Sequence, residues 1–216
     1  MSNHTDIDRI ADWRRAQGHP FADQMNATVE LGPIYSDSWL RDPKHLVFAL
    51  ARYKFVSKML VGSVTVAEVG AGDGWASEIV SRETKSLDCY DLSPLRHGIE
   101  QYDVMSRRLP KTYEAIYALD VFEHVKSGEV FFRNLTASLL DHGKLIVGAP
   151  SLEGQTYASE PSRKLHINCM TGEALRSLAL RFFRHVFMFS MNDETVHTGF
   201  MPMAHYLFAV CAEPIR

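Results

Sequence analysis

The chain has 216 residues, of which 46% are hydrophobic, and this is enough for one compact domain with its own core. Its 23 basic and 26 acidic residues give a formal net charge of -3, so there is no excess of positive charge to hold a nucleic-acid backbone. A nucleic-acid substrate is therefore disfavoured. No membrane span is expected, because no apolar run approaches the roughly 18 residues that a span needs.

The cysteines indicate a reducing compartment. Cys89, Cys169 and Cys211 are odd in number, far apart and mostly within apolar runs. Buried thiols explain this pattern better than disulfides or a metal cage. Together with the polar N-terminal residues, this predicts a cytoplasmic protein.

The N-terminal part of the chain divides at Asp42. Residues 1–41 show little periodicity, apart from a short helical pattern from Asp6 to Gln17, and form an N-terminal extension. Asp42-Pro43 has the pattern of a helix start, with Asp as the N-cap and Pro in the first helical position. Apolar residues then follow at helical spacing as far as Leu60. We therefore predict a main domain over residues 42–216.

A glycine-rich turn follows the first predicted strand. Apolar residues from Val66 run into Gly70, Gly72 and Gly74, and an amphipathic segment follows from Ala76. Glycine at alternate positions lets a ligand approach the backbone, so this turn is a candidate site for a nucleotide-like cofactor. The alternative is a plain turn with packing glycines. Trp75 occupies the last glycine position of the dinucleotide pattern G-x-G-x-x-G, which argues against a dehydrogenase.

Three later short strands each end in an acid. The acids are Asp91 after the second strand, Asp103 after the third and Asp120 after the fourth. An acid at the end of the second strand can accept hydrogen bonds from ribose hydroxyls. Two alternatives stay open: Asp91 could cap a helix after Pro94, and Asp103 could be a turn acid.

The motifs EVGAGDG, YDLS, YDV and LDVFEHV stand in the order and at the spacing of a known family. From about Val66 to the C-terminus the chain resembles the class I S-adenosylmethionine-dependent methyltransferases. The resemblance implies S-adenosyl-L-methionine as the cofactor and an N-terminal extension that caps the site, although an arm packed on the surface is an equal alternative. It also implies a set of cofactor-binding residues: Glu68, Gly70, Ala71 and Gly72 at the methionine part, Asp91 at the ribose with Leu92 beside it, Asp103 and Val104 at the adenine, and Asp120.

The rest of the chain completes an α/β fold. We predict a helix over Gly128 to Leu140 that ends at His142-Gly143, then a fifth strand to Pro150. Residues 151–171 have no regular period and predict a lid over the acceptor or a simple surface loop. A Thr171-capped helix follows. The last two strands, over residues 185–190 and 204–211, have no helix between them and must be antiparallel.

These elements predict a Rossmann-like sheet of seven strands with helices on both faces. Five strands are parallel in type, and a C-terminal antiparallel hairpin completes the sheet. This order matches the methyltransferase sheet that the resemblance implies.

His124 and His166 are the candidate catalytic bases. Histidine suits removal of a proton from an alcohol near neutral pH, and His124 follows the fourth strand, where the methyl group would project. Asp120, Glu123 and His124 could converge on one helical face. This D-x-x-E-H arrangement resembles that of metal-assisted O-methyltransferases, with His166 as the second histidine, so a divalent metal is a second hypothesis. Purely structural roles are the third.

The acceptor is the least determined part. LDVFEH lacks the Asn/Asp-Pro-Pro-aromatic tetrapeptide of many amino-group methylases, which favours O-methylation. The chain also resembles methyltransferases of bacterial surface-polysaccharide pathways, and it contains aromatic and hydrogen-bonding residues suited to a sugar. Together these features predict a carbohydrate or sugar-nucleotide acceptor. The residues are Tyr35, Trp39, Tyr157, His166, Asn168, His197 and His205.

Two other functions remain. An aromatic or lipid-like acceptor is favoured if Phe200, Met201 and Met203 form an apolar pocket wall. A non-catalytic cofactor-binding regulatory subunit is favoured if the pocket is closed or the histidines point away. A homodimer also stays open.

Overall fold

The structure is a computed structural model that describes residues 6–18 and 30–216. The polar N-terminal residues before Asp6, and Pro20 and Phe21, lie outside the described residues. The chain forms two compact units, residues 1–31 and 32–216. In the first, helix α1 (Asp6–Ala16) occupies the predicted helical segment. The predicted division into 1–41 and 42–216 stays a prediction, and the helix over residues 33–41 belongs to the second unit.

The second unit is a mixed α/β sheet with helices around it. Its strands are β1 (Thr65–Val69), β2 (Ser86–Asp91), β3 (Ile99–Gln101), β4 (Tyr113–Leu119), β5 (Leu139–Pro150), β6 (Phe183–Asn192), β7 (Thr195–His197) and β8 (Tyr206–Pro214). Its helices are α2 (Pro33–Arg41), α3 (Pro43–Met59), α4 (Ser77–Ser81), α5 (Gly128–Thr136), α6 (Glu160–Leu165) and α7 (Gly172–Ala179).

The strand order is β3-β2-β1-β4-β5-β8-β6-β7. Strands β1 to β5 pair in parallel, whereas β8 runs antiparallel to both β5 and β6. This confirms the predicted methyltransferase-type sheet. Because the carboxyl ends of parallel strands meet at one edge, the glycine turn after β1 and the acids after β2 and β4 lie at the same edge.

Both faces of the sheet are buried under helices. On one face Ile116 of β4 belongs to a core cluster that also contains Phe131 of α5 and Leu175 of α7. On the other face the ring of Phe55 in α3 lies 4.6 Å from that of Phe208 in β8. Helix α3 begins as predicted, because the Asp42 side chain accepts a hydrogen bond from the amide of Lys44 at 3.2 Å.

The predicted boundary between α5 and β5 is wrong. Helix α5 ends at Thr136, and His142-Gly143 lies inside β5, which already begins at Leu139. Leu139 is buried and Leu140 is exposed, which is the alternation of a strand at its start. The short apolar run satisfied a helical period as well, and periodicity alone could not separate the two.

Two segments have more structure than the sequence analysis predicted. Residues 151–171 contain a 3-10 turn (Glu153–Tyr157) and α6, whose N-cap Ser159 accepts from the amide of Ser162. The connection between the last two predicted strands contains β7, which pairs with β6 and adds an eighth strand. Among the helices of the described ranges, none has both the length and the apolar character needed to cross a membrane.

Candidate functional site

A cavity of about 990 Å³ opens at the carboxyl ends of β1, β2 and β4. Most of the predicted site residues line it: Gly70, Ala71, Gly72, Asp91, Leu92, Asp103, Val104, Asp120 and His124. The sequence analysis missed the wall formed by Ile34 of α2 and by Ala49 and Tyr53 of α3. The side chains of Glu68 and His166 are not part of the described lining.

The glycine turn needs its glycines for shape. Gly70 has φ +85° and Gly72 has φ +59°, a region that side chains disfavour. A β-carbon added at Gly70 would lie 2.0 Å from Val121 Cγ2, so a side chain cannot be accommodated there. The amides of Gly70 and Ala71 both donate to the carbonyl of Tyr90, at 2.8 and 3.1 Å. These bonds fix the turn against the end of β2.

Asp91 joins the end of β2 to the glycine turn. Its Oδ2 accepts from the amide of Gly72 at 2.7 Å, and its Oδ1 accepts from the amide of Ser93 at 2.7 Å. The alternative role, capping a helix after Pro94, is excluded because residues 92–98 contain no helix. Each oxygen keeps lone-pair capacity for a second donor on the cavity side.

Glu68 lies beneath the glycine turn instead of on the cavity wall. It is 1% exposed, and its two carboxyl oxygens accept from the hydroxyls of Tyr53 and Tyr117, each at 2.8 Å. Burial raises the pKa of this carboxyl group. The structure thus places Glu68 between α3, β1 and β4, and the contact with the cofactor that the resemblance implies stays a prediction.

Asp103 is both a turn acid and a cavity residue. Its Oδ1 accepts from the amide of Met105 at 2.8 Å, and its Oδ2 accepts from the hydroxyl of Ser106. These bonds to Ser106 and Met105 lower the pKa of Asp103, so the carboxylate is charged. The turn presents Asp103 and Val104 at the cavity.

Asp120 is held in an unusual backbone conformation at the end of β4. Its φ is +56°, which aspartate tolerates better than most residues. Its carboxylate pairs with Arg52 Nη1 of α3 at 2.7 Å. The Arg52 guanidinium in turn lies 4.0 Å from the centroid of the Tyr206 ring. The Arg52 side chain is 15% exposed and that of Asp120 is 42% exposed, so the ion pair holds a partly exposed carboxylate at the cavity lining.

The predicted convergence of Asp120, Glu123 and His124 on one helical face is wrong. The turn after β4 is a 3-10 turn that starts at Phe122, and Asp120 is engaged with Arg52. The cluster that does form is Glu123, His124 and His166, whose potential ligand atoms all lie within 4.8 Å of one another. The two imidazole rings have centroids 5.2 Å apart.

The contacts of His124 define which of its nitrogens is available. Its Nδ1 lies 3.1 Å from the carbonyl oxygen of Leu165, which can only accept, so the neutral ring carries its proton on Nδ1. Its Nε2 then presents a lone pair, 3.8 Å from Glu123 Oε1. The side chain is 43% exposed and lines the cavity. This nitrogen can therefore accept a proton.

Glu123 and His166 have shifted pKa values. Burial, reinforced by the negative charge of Asp120, raises the pKa of Glu123 to about 8. Burial and the neighbouring His124 lower the pKa of His166, which favours its neutral form. Glu123 Oε2 is buried and has no hydrogen-bond partner among the described residues. At neutral pH the cluster thus combines a protonated Glu123 carboxyl group with a neutral His166 ring.

Glu123→Gln is expected to stabilise the protein at alkaline pH. Because the folded-state pKa of Glu123 lies above its unfolded value, the native state binds more protons from about pH 5 to about pH 8, and stability falls as pH rises through that window. The neutral amide removes this loss. Thermal unfolding at several pH values should show a variant advantage that grows to a few kcal/mol by about pH 9. A constant difference at all pH values would contradict the shifted pKa.

The proposed carbohydrate-binding residues are scattered. Tyr35 lines the cavity, whereas the other candidates are absent from its described lining. Asn168 donates to the carbonyl of Phe122 at 3.1 Å. The His197 ring lies between Ser190 and Asn192, at 2.9 and 3.0 Å. These contacts are structural.

Tyr157 and His205 form a ring pair, with centroids 4.9 Å apart, away from the cavity lining. Trp39 is 55% exposed. Phe200 and Met203 are also exposed and, like Met201, are outside the described lining. The apolar pocket wall that would favour an aromatic or lipid-like acceptor is therefore not formed by these residues.

Comparison with known proteins agrees with this architecture. A family model described as "Methyltransferase domain" matches residues 39–190. None of the curated proteins compared with the chain is a significant match.

Several solved structures share the fold. The N-methyltransferase NodS from Bradyrhizobium japonicum WM9, in complex with S-adenosyl-L-homocysteine, aligns with a TM-score of 0.58 and 16% identity over 82% of this chain and 91% of that chain. The plantazolicin methyltransferase BpumL, also in complex with S-adenosylhomocysteine, aligns with a TM-score of 0.58 and 14% identity over 83% of this chain and 88% of that chain. A SAM-dependent methyltransferase from Thermotoga maritima aligns with a TM-score of 0.57 and 16% identity over 83% of this chain and 94% of that chain.

Proposed function

Because the chain belongs to the family of methyltransferase domains, we propose that it uses S-adenosyl-L-methionine to methylate a hydroxyl group of a small molecule. The observation that carries the proposal is the Asp91 carboxylate bonded to the amide of Gly72 at the mouth of the cavity. Two of the structural neighbours contain S-adenosylhomocysteine, the product that such a cofactor leaves.

The cavity fits this cofactor in shape and chemistry. At about 990 Å³ it exceeds the volume of one nucleoside-sized ligand, and its wall is largely apolar with a few fixed acids. When bound, the cofactor supplies a methyl group activated by a positively charged sulfur. The carboxylates of Asp91 and Asp120 line the same space and complement a positive charge.

We assign roles to the wall residues as follows. The backbone of Gly70, Ala71 and Gly72 lies against the methionine part, supported from below by Glu68. Asp91 accepts from the ribose hydroxyls, with Leu92 beside the sugar. Asp103 and Val104 border the adenine, and Asp120 faces the sulfonium end. Apart from Glu68, all of these residues line the same cavity, which supports the assignment.

His124 is the proposed general base. Its Nε2 would accept the proton that the acceptor hydroxyl loses when it takes the methyl group. The carbonyl of Leu165 stabilises the resulting imidazolium through the Nδ1 proton. His166, with its ring beside His124, is the second candidate in the same role, although it is absent from the described cavity lining.

A divalent metal is the second candidate for this cluster. The unpartnered Glu123 Oε2 favours it, because a bound cation would displace the carboxyl proton and give this buried oxygen a partner. One carboxylate and two imidazole rings form a donor set that suits a divalent transition metal. Glu123, His124 and His166 would hold the ion, which would polarise the acceptor hydroxyl.

Treatment with a chelator distinguishes a metal-free general base from a metal centre. With His124 as base and no metal, activity after dialysis against a chelator is expected to stay within about twofold of the untreated enzyme, because the proton acceptor belongs to the chain. A metal centre predicts a loss of about a hundredfold or more, restored by one added equivalent of a divalent ion. Metal analysis of the purified protein is the independent readout.

We propose a sugar or sugar-nucleotide as the acceptor. Tyr35 is the one residue of the proposed carbohydrate set in the described lining, and the exposed Lys126 ammonium of the same lining can pair with a phosphate. This acceptor suits a cytoplasmic enzyme of surface-polysaccharide synthesis, and a homodimer is compatible with it. An open cavity with His124 on its wall favours catalysis over a regulatory subunit.

A panel of acceptors tests the substrate class. Purified protein with S-adenosylmethionine is offered nucleotide sugars, free sugars, phenols and quinone precursors, and methylated products are detected by mass spectrometry. Turnover of a nucleotide sugar with the new methyl group on oxygen is the expected result. Turnover restricted to phenols or quinone precursors would instead establish the aromatic acceptor, and methylation at nitrogen would contradict the proposed reaction.

A further inference from the structure

The N-cap residue of helix α2 has no side chain that could cap the helix. Its N-cap residue is Gly32, which offers no side chain, and Pro33 follows in the first helical position. The free amides at a helix N-terminus need acceptors when they are shielded from water. The acceptor for Ile34 comes from far along the chain, because Asp73 Oδ2 lies 3.0 Å from its amide nitrogen.

Asp73 is built into the glycine turn and is only 1% exposed. Its second oxygen, Oδ1, accepts from the amide of Trp75 at 3.1 Å, within the same turn. One carboxylate therefore connects the glycine turn to the start of α2. Its negative charge also lies at the helix end where the dipole is positive.

The fit between Asp73 and α2 depends on Gly32. A β-carbon added at Gly32 would lie 2.1 Å from Asp73 Oδ2 and 2.3 Å from its Cγ, so any side chain there would displace the carboxylate. The backbone of Gly32 has φ -62° and ψ 166°, which every residue adopts without strain. Space for Asp73, and not backbone conformation, is the local requirement for glycine.

This bond positions two cavity residues. Ile34 lies over the glycine turn, because a β-carbon added at Gly72 would be 2.8 Å from Ile34 Cδ1. The Tyr35 ring packs against Trp75 with centroids 5.2 Å apart, and it is 8% exposed. Both residues line the cavity, whereas Asp73 is absent from its described lining. Asp73 thus acts through α2.

We propose that Asp73 is a positioning residue that caps α2 from the glycine turn and so holds Ile34 and Tyr35 as a wall of the cofactor cavity. The inference rests on the proposed function, since it assigns that wall to cofactor binding. Undocking of α2 removes the wall and lowers the population of the binding-competent state.

Two variants test the proposal from opposite sides of the contact. Asp73→Ala removes the acceptor, and Gly32→Ala displaces the Asp73 carboxylate without altering the sequence of the glycine turn. Asp73→Asn keeps a single acceptor oxygen for two amides and should lie between Asp73→Ala and the wild type. Leu40→Ala is the matched control, because Leu40 is on the same helix and is 82% exposed.

Hydrogen exchange of the Ile34 amide is the direct readout, and calorimetric binding of S-adenosylhomocysteine is the functional one. Both Asp73→Ala and Gly32→Ala are expected to speed the exchange by about fivefold or more and to weaken binding about 5- to 20-fold. In turnover assays the KM for S-adenosylmethionine should rise while kcat at saturation is kept. Leu40→Ala should match the wild type in all three.

Several outcomes would overturn the proposal. Unchanged exchange in Gly32→Ala would show that Asp73 does not hold α2, even if Asp73→Ala binds weakly. Faster exchange with affinity unchanged would show that α2 is no part of the cofactor site. A wild-type protein that takes up no S-adenosylhomocysteine contradicts the proposed function instead, and the exchange measurement still tests the cap by itself.

Discussion

Asp91→Ala is expected to weaken the binding of S-adenosylhomocysteine by about thirtyfold or more. The substitution removes the proposed acceptor for the ribose hydroxyls and also releases the amide of Gly72, which Asp91 holds at 2.7 Å. The two losses act on the same ligand, so the effect should exceed that of one neutral hydrogen bond. Titration calorimetry measures it directly.

Glu100→Ala is the control for Asp91→Ala. Glu100 is an exposed acid on the adjacent strand β3 and is outside the cavity lining that the structure describes. It changes the net charge by the same amount without touching the glycine turn. If Asp91→Ala binds as tightly as the wild type and as Glu100→Ala, the carboxylate takes no part in cofactor binding.

His124→Ala is expected to reduce kcat by about 10²- to 10⁴-fold while affinity for S-adenosylhomocysteine stays within about twofold. The loss is confined to turnover because the ring is proposed to accept the acceptor's proton and not to hold the cofactor. Steady-state kinetics measures kcat, and titration calorimetry measures the affinity for S-adenosylhomocysteine.

His142→Ala is the matched control for His124→Ala, because His142 is exposed near the start of β5 and lies outside the described cavity lining. A rate for His124→Ala equal to that of His142→Ala would assign a structural role to His124. His166→Ala supplies a comparison. If His124 is the base, the loss in kcat should be smaller for His166→Ala than for His124→Ala.

The fold followed from local signals in the sequence. The glycine turn, the Asp42 N-cap and the acids after β2 and β4 each have a short-range physical cause, and the structure places them as predicted. The start of β5 and the short β7 were missed because their local sequence signals are ambiguous or too short. Leu139 and Leu140 fit a helical or a strand period equally well, and β7 has only three residues.

The contacts that orient Glu68, Asp120 and Glu123 depend on tertiary structure. Glu68 is drawn under the glycine turn by Tyr53 of α3 and Tyr117 of β4, a pairing that no local pattern contains. Asp120 is held by Arg52, which lies 68 positions away in sequence. The spacing of Asp120, Glu123 and His124 satisfied a helical rule, but the ion pair and a 3-10 turn decided their orientation.

The α2 wall was also out of reach of sequence reasoning. Gly32-Pro33 did resemble a helix start, and this was the available signal. Its cap is supplied by Asp73, however, which sequence reasoning treats as one residue of a glycine turn. The contribution of Ile34 and Tyr35 to the cavity therefore required the tertiary structure.

The proposed function requires that an adenosyl ligand binds in the space bounded by the glycine turn. Titration calorimetry with the demethylated cofactor, S-adenosylhomocysteine, tests this binding most directly. We predict saturable uptake of one equivalent by the wild-type protein, with a dissociation constant in the micromolar range, about 1–100 μM. Absence of any binding heat, together with absence of any shift in thermal midpoint at about millimolar ligand, would contradict it.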